Sequence, residues 1–369
     1  MFRFGGGLIL LILFLLPWNS LQAQTSDEES REVEAVIISI ERDQILDGER
    51  QVEFEARIEE GKRVHVDTSE GYIQGVHYRL KPGTRVILQL VPSSTGETTA
   101  FLVDVVRRPA MIWIVIMFAL CTVLIGWVRG GLSLIGLGIT LAALFGGIFP
   151  AILAGAPAVP VTILGSIFIL AINMHLSHGF NHRTLVAFAS TVAGLFLAFV
   201  TAEGFTWLSN LSGLASEEST LLYWLTDGPR DPVGILLAAM ILGAVGVLDD
   251  IAITQSETVA ELYDVNPRLS TRELFTRAMR VGRHHIASTV NTLVLAYVGV
   301  SMPLFLLFLG TPGVSTGHFL NTEGIAEEIV RTLSGTTALI LTVPIATWFA
   351  ALAIHRKPKK RLDSDLSVR

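Results

Sequence analysis

Gly243-Ala244-Val245-Gly246-Val247-Leu248-Asp249-Asp250-Ile251-Ala252-Ile253-Thr254-Gln255-Ser256-Glu257 begins as a membrane-spanning run and meets two adjacent aspartates before the run is finished. A carboxylate at membrane depth is costly unless it is paired, protonated or wetted. The chain must therefore supply a polar interior around Asp249 and Asp250. The rest of the sequence is read for where those partners come from.

The stretch is not an isolated apolar island. Hydrophobic residues make up 51% of the 369 and charged ones 16%, and the mean hydropathy is +0.56. A soluble domain could not hide that much apolar surface, so the fold class reads as an α-helical polytopic membrane protein with the lipid bilayer as its partner. The net charge of −6 brings no basic surface of the kind nucleic-acid binding needs. The single cysteine, Cys121, allows no intramolecular disulfide.

Seven stretches have spanning length: 110–128, 131–149, 159–176, 184–206, 233–254, 286–309 and 332–354. Together, 109–355 form the expected transmembrane domain, followed by a basic tail at 356–369. Arg183, Arg268, Arg272, Arg277, Arg280, Arg283 and the tail all fall on one side of this topology, and Glu217, Glu218, Asp227, Glu323, Glu327 and Glu328 on the other. The positive-inside bias makes the first side cytoplasmic. Arg107, Arg108 and Arg230 lie on the opposite side.

Residues 1–23 read as an export signal, with Arg3, the apolar run 8–16, Pro17 and a cleavage site ending at Ala23, or as an uncleaved anchor. Either puts residues 24–108 outside the cytoplasm. That segment has period-two runs near 33–39, 51–58, 62–68, 84–91 and 98–106, separated by turns such as Pro82-Gly83. Five short strands predict a small closed or nearly closed β-barrel, OB-like. Tyr72 and Tyr78 are read as packing residues and not as a binding platform.

In the fifth span, Gly246, Asp250 and Glu257 share a helical face, and Asp249 points about 100° away. The sixth span offers Ser288, Asn291 and Thr292. Asp249, Asp250, Glu257, Asn291 and Thr292 are thus the candidates for a proton or cation site, with Asn291 hydrogen-bonded to an aspartate across the two helices. The alternative is a wet rim with helix–helix glue. His175, His178, His182, His284 and His285 collect on the same side and are weak candidates for a divalent metal. No cofactor is expected.

Ser270-Thr271-Arg272-Glu273 is a capping box opening a helix, either interfacial on anionic lipid or packed on the mouth of the bundle. No Gly-x-Ser-x-Gly, Walker or Rossmann pattern is present, and adjacent aspartates on one helix diverge, so no enzyme is expected.

A set of motifs runs through the membrane part. It comprises residues 127–131, Pro150 with Gly155, His178-Gly179-Phe180-Asn181, residues 243–249 with Glu257 and Glu261, Asn266-Pro267, Glu273-Leu274, Gly282-Arg283, Asn291-Thr292-Leu293 and Ala296-Tyr297. With these the chain resembles the YibE/F family of bacterial multi-span proteins over roughly 109–355. The resemblance implies several spans preceded by an exported β segment, and it implies no activity. The family often has an acid after the Gly-Arg pair, where this chain has His284. The leading expectation is a permease coupled to protons or cations. The alternative is a non-transporting envelope assembly or sensing protein whose exported domain docks a partner.

Overall fold

The structure is a computed structural model and describes residues 31–46, 49–58, 61–70, 78–92, 98–225, 231–313 and 315–354. The expected signal or anchor and the basic tail lie outside the described residues, as does Tyr72. Within them the chain divides into two units, 31–125 and 126–354.

The first unit is a curled antiparallel sheet, a half-barrel, of β1 (Arg31–Leu46), β2 (Glu49–Ile58), β3 (Arg63–Asp67), β4 (Arg85–Pro92) and β5 (Thr98–Val105). The strand order is β3-β2-β1-β4-β5. All five expected strands are present, and the alternation that predicted them sets their faces. Val52, Phe54 and Ala56 are buried while their neighbours Glu53 and Glu55 face out. Ile37, Val66, Val86, Leu88 and Leu102 complete the core, with Tyr78 packed against it. Gly83 follows Pro82 with φ of 90°, which a turn here requires and a side chain would resist.

The edges β3 and β5 approach one another. Charges pair on the outside: Arg42 with Glu53 at 2.6 Å, Arg50 with Asp43 at 2.5 Å, Arg107 with Asp104 at 2.5 Å, and Arg108 with Glu34. The guanidinium of Arg50 holds the Asp43 carboxyl below the usual carboxylate range, and Arg107 does the same for Asp104.

The helices are α1 (Arg108–Ala143), α2 (Phe149–Leu153), α3 (Ala158–His178), α4 (His182–Leu208), α5 (Glu217–Leu225), α6 (Pro232–Val265), α7 (Thr271–Val300), α8 (Met302–Gly310), α9 (Thr316–Asn321) and α10 (Glu323–Ile354). Five helical stretches are long and apolar enough to cross a membrane, or six if α7 and α8 count as one broken span. The sequence predicted seven. The difference arises because the first two expected spans run on as one 46-residue stretch, Arg108–Leu153. Its regular dihedrals are interrupted at Trp127, with φ of 48° and ψ of −132°.

The expected sixth span is bent by 64° between α7 and α8, where Pro303 lies in the first turn of α8. The capping box forms: Ser270 Oγ accepts the Glu273 N–H at 3.3 Å, and Glu273 accepts the Ser270 N–H at 2.9 Å. The helix it opens is continuous with the sixth span. Leu274 and Ala278 pack on Val259, Ala350 and Ala351, which is the bundle-mouth alternative. Asp231 is at the N-cap of α6 with Pro232 at N1, but its side chain caps nothing.

Candidate functional site: a buried polar seam on α6

The packing of α6 decides which aspartate is inside. Its buried stripe is Ile241, Ala244, Val245, Leu248, Ile251, Ala252, Gln255, Ser256, Val259 and Ala260. The spacing of three and four residues keeps one face of a 3.6-residue helix inward. That face meets Leu195 and Ala198 of α4 and Ala338, Leu339 and Val343 of α10. Close approach needs Gly194, where an added Cβ would lie 2.4 Å from Thr342 Oγ1 and 3.2 Å from Leu248 Cδ2.

Asp249 flanks this stripe. It is half-buried, and its Oδ1 is buried without a hydrogen-bond partner. Asp250, one residue further round, is exposed. Gly246 is exposed too, and a Cβ there would meet nothing within 4 Å. Of the face shared by Gly246, Asp250 and Glu257, the first two are thus exposed and Glu257 is half-buried. The glycine marked open space and not close packing.

The expected bond to the next helix is also absent. Asn291 and Thr292 are exposed, and the Thr292 hydroxyl donates to Ser288 O at 3.1 Å. Among the described residues no hydrogen bond joins Asn291 to either aspartate. The two helices do run side by side here. A Cβ at Gly282 would lie 3.1 Å from Gln255 Oε1, and one at Gly243 would lie 3.2 Å from the Tyr297 hydroxyl. Asp249, Asp250, Ser288 and Asn291 fall between those two close approaches.

The residues that do meet in the interior were not among the candidates. Gln255 is fully buried. Its Oε1 accepts the Thr347 hydroxyl at 2.9 Å, which also donates to Val343 O at 2.7 Å. Gln255 Nε2 and Ser256 Oγ are buried and have no hydrogen-bond partner. Ser256 lies seven residues after Asp249, on the same side of the helix. That spacing was available in the sequence and pointed to Asp249.

Ser256 also lines a cleft of about 80 Å³ with His182, Arg183, Tyr263, Asp264 and Ala350. Arg183, at the start of α4, reaches across to α6. Its Nη2 lies 2.7 Å from Asp264 and its Nη1 3.5 Å from Glu257. The Asn181 side chain caps the Thr184 N–H at 2.9 Å, which fixes that end of α4. Glu257 is thus half of an ion pair at the cleft, and Arg183 is a site residue that sequence reasoning missed.

The histidines do not converge. The Nδ1–H of His175 donates to Ala171 O at 2.7 Å, and its ring lies 4.6 Å from that of Phe180. His178 sits in the last turn of α3, His182 lines the cleft, and His284 is exposed beside half-buried His285. Among the described residues, possible ligand atoms of three groups come within 4.8 Å of one another only at Glu41, Glu53 and His65 on the sheet. Glu53 there is already paired with Arg42.

The seam can therefore do one kind of chemistry. A carboxylate oxygen, an amide donor and a hydroxyl face the interior of an apolar bundle without partners. The carboxylate and hydroxyl oxygens can take up a proton, a small cation or water, and the amide N–H can donate only to an acceptor such as water.

The sequence profile of the YibE/F-like proteins matches residues 114–356, well over half of the chain. The chain belongs to the YibE/F-like family. No curated protein sequence and no solved structure matches it. Both the seam and the cleft lie inside the span that the YibE/F-like profile covers.

Proposed function

We propose that this protein is a permease of a bacterial cytoplasmic membrane, coupled to protons or cations, in which Asp249 and not Asp250 carries the ion. One observation supports this most. Asp249 Oδ1, Gln255 Nε2 and Ser256 Oγ are buried without partners along two turns of α6. Polar groups kept at membrane depth without structural partners mark ion pathways. Ser256, seven residues on and on the same side of α6, leads from Asp249 toward the cleft that it lines with Arg183, and the Arg183 ion pairs close it.

The topology of this reading puts the cleft on the cytoplasmic side. Arg268, Arg272, Arg277, Arg280 and Arg283 gather at that end of the chain's helices. The sheet lies outside. Its strand order, with β3 and β5 as neighbouring edges, supports an OB-type half-barrel. No bond making or breaking is assigned to the protein.

The test is flux. Purified protein in liposomes, with a pH or cation gradient imposed, should dissipate that gradient, and Asp249→Asn should abolish the dissipation while Asp250→Asn leaves most of it. Equal flux from wild type and Asp249→Asn, or no flux from wild type, would sink the reading. In that event the rival, an assembly protein that docks a partner through the sheet, gains.

A further inference from the structure

A second buried polar group lies at the other end of the helical unit, where α10 begins. Glu323, Glu327, Glu328 and Arg331 occupy its first three turns. Glu323 and Glu328 have hydrogen-bonded work, and Arg331 Nε is buried with no hydrogen bond of its own. Glu323 accepts the N–H of Ser212. Glu328 Oε2 accepts the hydroxyl of Ser301 at 2.8 Å, and its Oε1 lies 3.5 Å from Arg331 Nε. Ser301 is the residue at the break between α7 and α8.

Glu327 is different. Its carboxylate accepts the N–H of Ala215, on the same loop that Ser212 belongs to. Yet the residue is only 7% exposed, and Oε1 has no hydrogen-bond partner. Thr206, in the last turn of α4 leading into that loop, is 3% exposed, and its hydroxyl is orphaned as well. Three carboxylates thus face one guanidinium, and the buried oxygen among them has lost its water without gaining a donor.

We propose that Glu327 is the principal ligand of a monovalent metal cation, of the sodium class, bound between the start of α10, the loop 209–216 and the break at Ser301. The unpartnered oxygens there belong to the Glu327 carboxylate and the Thr206 hydroxyl, both hard, and neither a thiolate nor an imidazole joins the cluster among the described residues. Hard oxygen sites take alkali and alkaline-earth ions and discriminate against zinc or copper. One free carboxylate oxygen, with Arg331 already supplying a positive charge, suits a single charge better than a double one. A broken helix beside the site agrees with this, because interrupted spans free backbone carbonyls at ion sites. The site is separate from the Asp249 seam and does not rest on the permease reading.

Direct binding decides it. Purified full-length protein in detergent, at constant pH and ionic strength with choline as the replacement cation, would be titrated with sodium. Radioactive sodium binding and thermal unfolding would be followed together. Saturable binding and a sodium-dependent rise in Tm are expected, with Glu327→Gln weakening binding at least about tenfold, equivalent to about 1.4 kcal/mol, and the exposed Glu261→Gln retaining it. If Glu327→Gln does not fold, Thr206→Val is the deciding variant, with several-fold weaker binding expected. Sodium indistinguishable from choline in wild type, or unchanged binding in the folded Glu327 or Thr206 variant, overturns the proposal. Binding without flux would leave this site standing while removing the permease reading.

Discussion

Around the sheet, Arg42 and Arg50 pair with acids on neighbouring strands, and Arg107 and Arg108, just beyond β5, pair with Asp104 of β5 and Glu34 of β1. The sheet's buried polar side chain, Thr68, accepts the Val52 N–H at 2.8 Å. In the helical unit the polar groups are inside. Among the described residues, the buried side-chain atoms without a hydrogen bond all fall between Ser166 and Arg331. An unsatisfied buried polar atom costs stability. The sheet thus follows the rules that stabilise a fold, and the helices depart from them at Asp249, Gln255, Ser256 and Glu327. The contrast is one of hydrogen bonding: the described sheet keeps its charges outside and paired, and the helical interior keeps polar atoms that its own packing does not use.

Four variants or conditions would break or sharpen that contrast. The largest effect belongs to the sheet. Phe54 is fully buried, so Phe54→Ala should destabilise the sheet by about 3–5 kcal/mol. Denaturation followed by circular dichroism should show the β signal lost early while helicity persists. Simultaneous loss of both would mean the two units are not independent.

Gly194→Val comes next. A Cβ there collides with Thr342, and overpacking of this kind costs about 1–3 kcal/mol. A lower helical melting transition in detergent is the expected readout.

Gln255→Leu should separate stability from function. Nε2 has no partner to lose, and the Thr347 hydroxyl keeps its bond to Val343 O. Stability should therefore change by only about 1 kcal/mol, because loss of the Thr347 bond to Oε1 is offset by removal of the unpartnered Nε2. Liposome flux should nevertheless fall to background. A large loss of stability would show that Gln255 is structural glue.

The smallest effect is electrostatic. Asp43 and Asp104 are held below their ordinary carboxylate range by Arg50 and Arg107. Their stabilising contribution is present above the unfolded-state value and is lost as pH falls through the folded-state value. Thermal unfolding of the sheet should weaken slightly as pH drops below about 4, and added salt should shrink the difference because these pairs are exposed. Arg50→Ala should remove part of this pH dependence.

The sheet was more legible than the seam. Strand alternation and turn residues around Val52, Phe54 and Ala56 fix both the element and its faces, because a period of two leaves little ambiguity. The apolar helices were legible as lengths, and their capping at Ser270 was legible to the residue. Which face of α6 points inward was not. On a helix rich in Ala, Val, Leu and Ile on every side, small residues mark either close contact or empty space, and Gly246 marks the latter. Gln255 and Thr347 lie 92 residues apart and meet only through packing. Single-helix geometry carries no information about such a pair.

The most direct test of the seam is its access to water. Cys121 is exposed and would first be replaced in a Cys121→Ser background. Ser256→Cys then puts one thiol at the buried hydroxyl beside the cleft, leaving Asp249 intact. If the seam is a pathway, a membrane-impermeant thiol reagent should label this position from the cytoplasmic side, and labelling should slow when a saturating cation gradient is removed. No labelling from either side, in protein that is folded and membrane-inserted, would contradict a pathway through Asp249, Gln255 and Ser256.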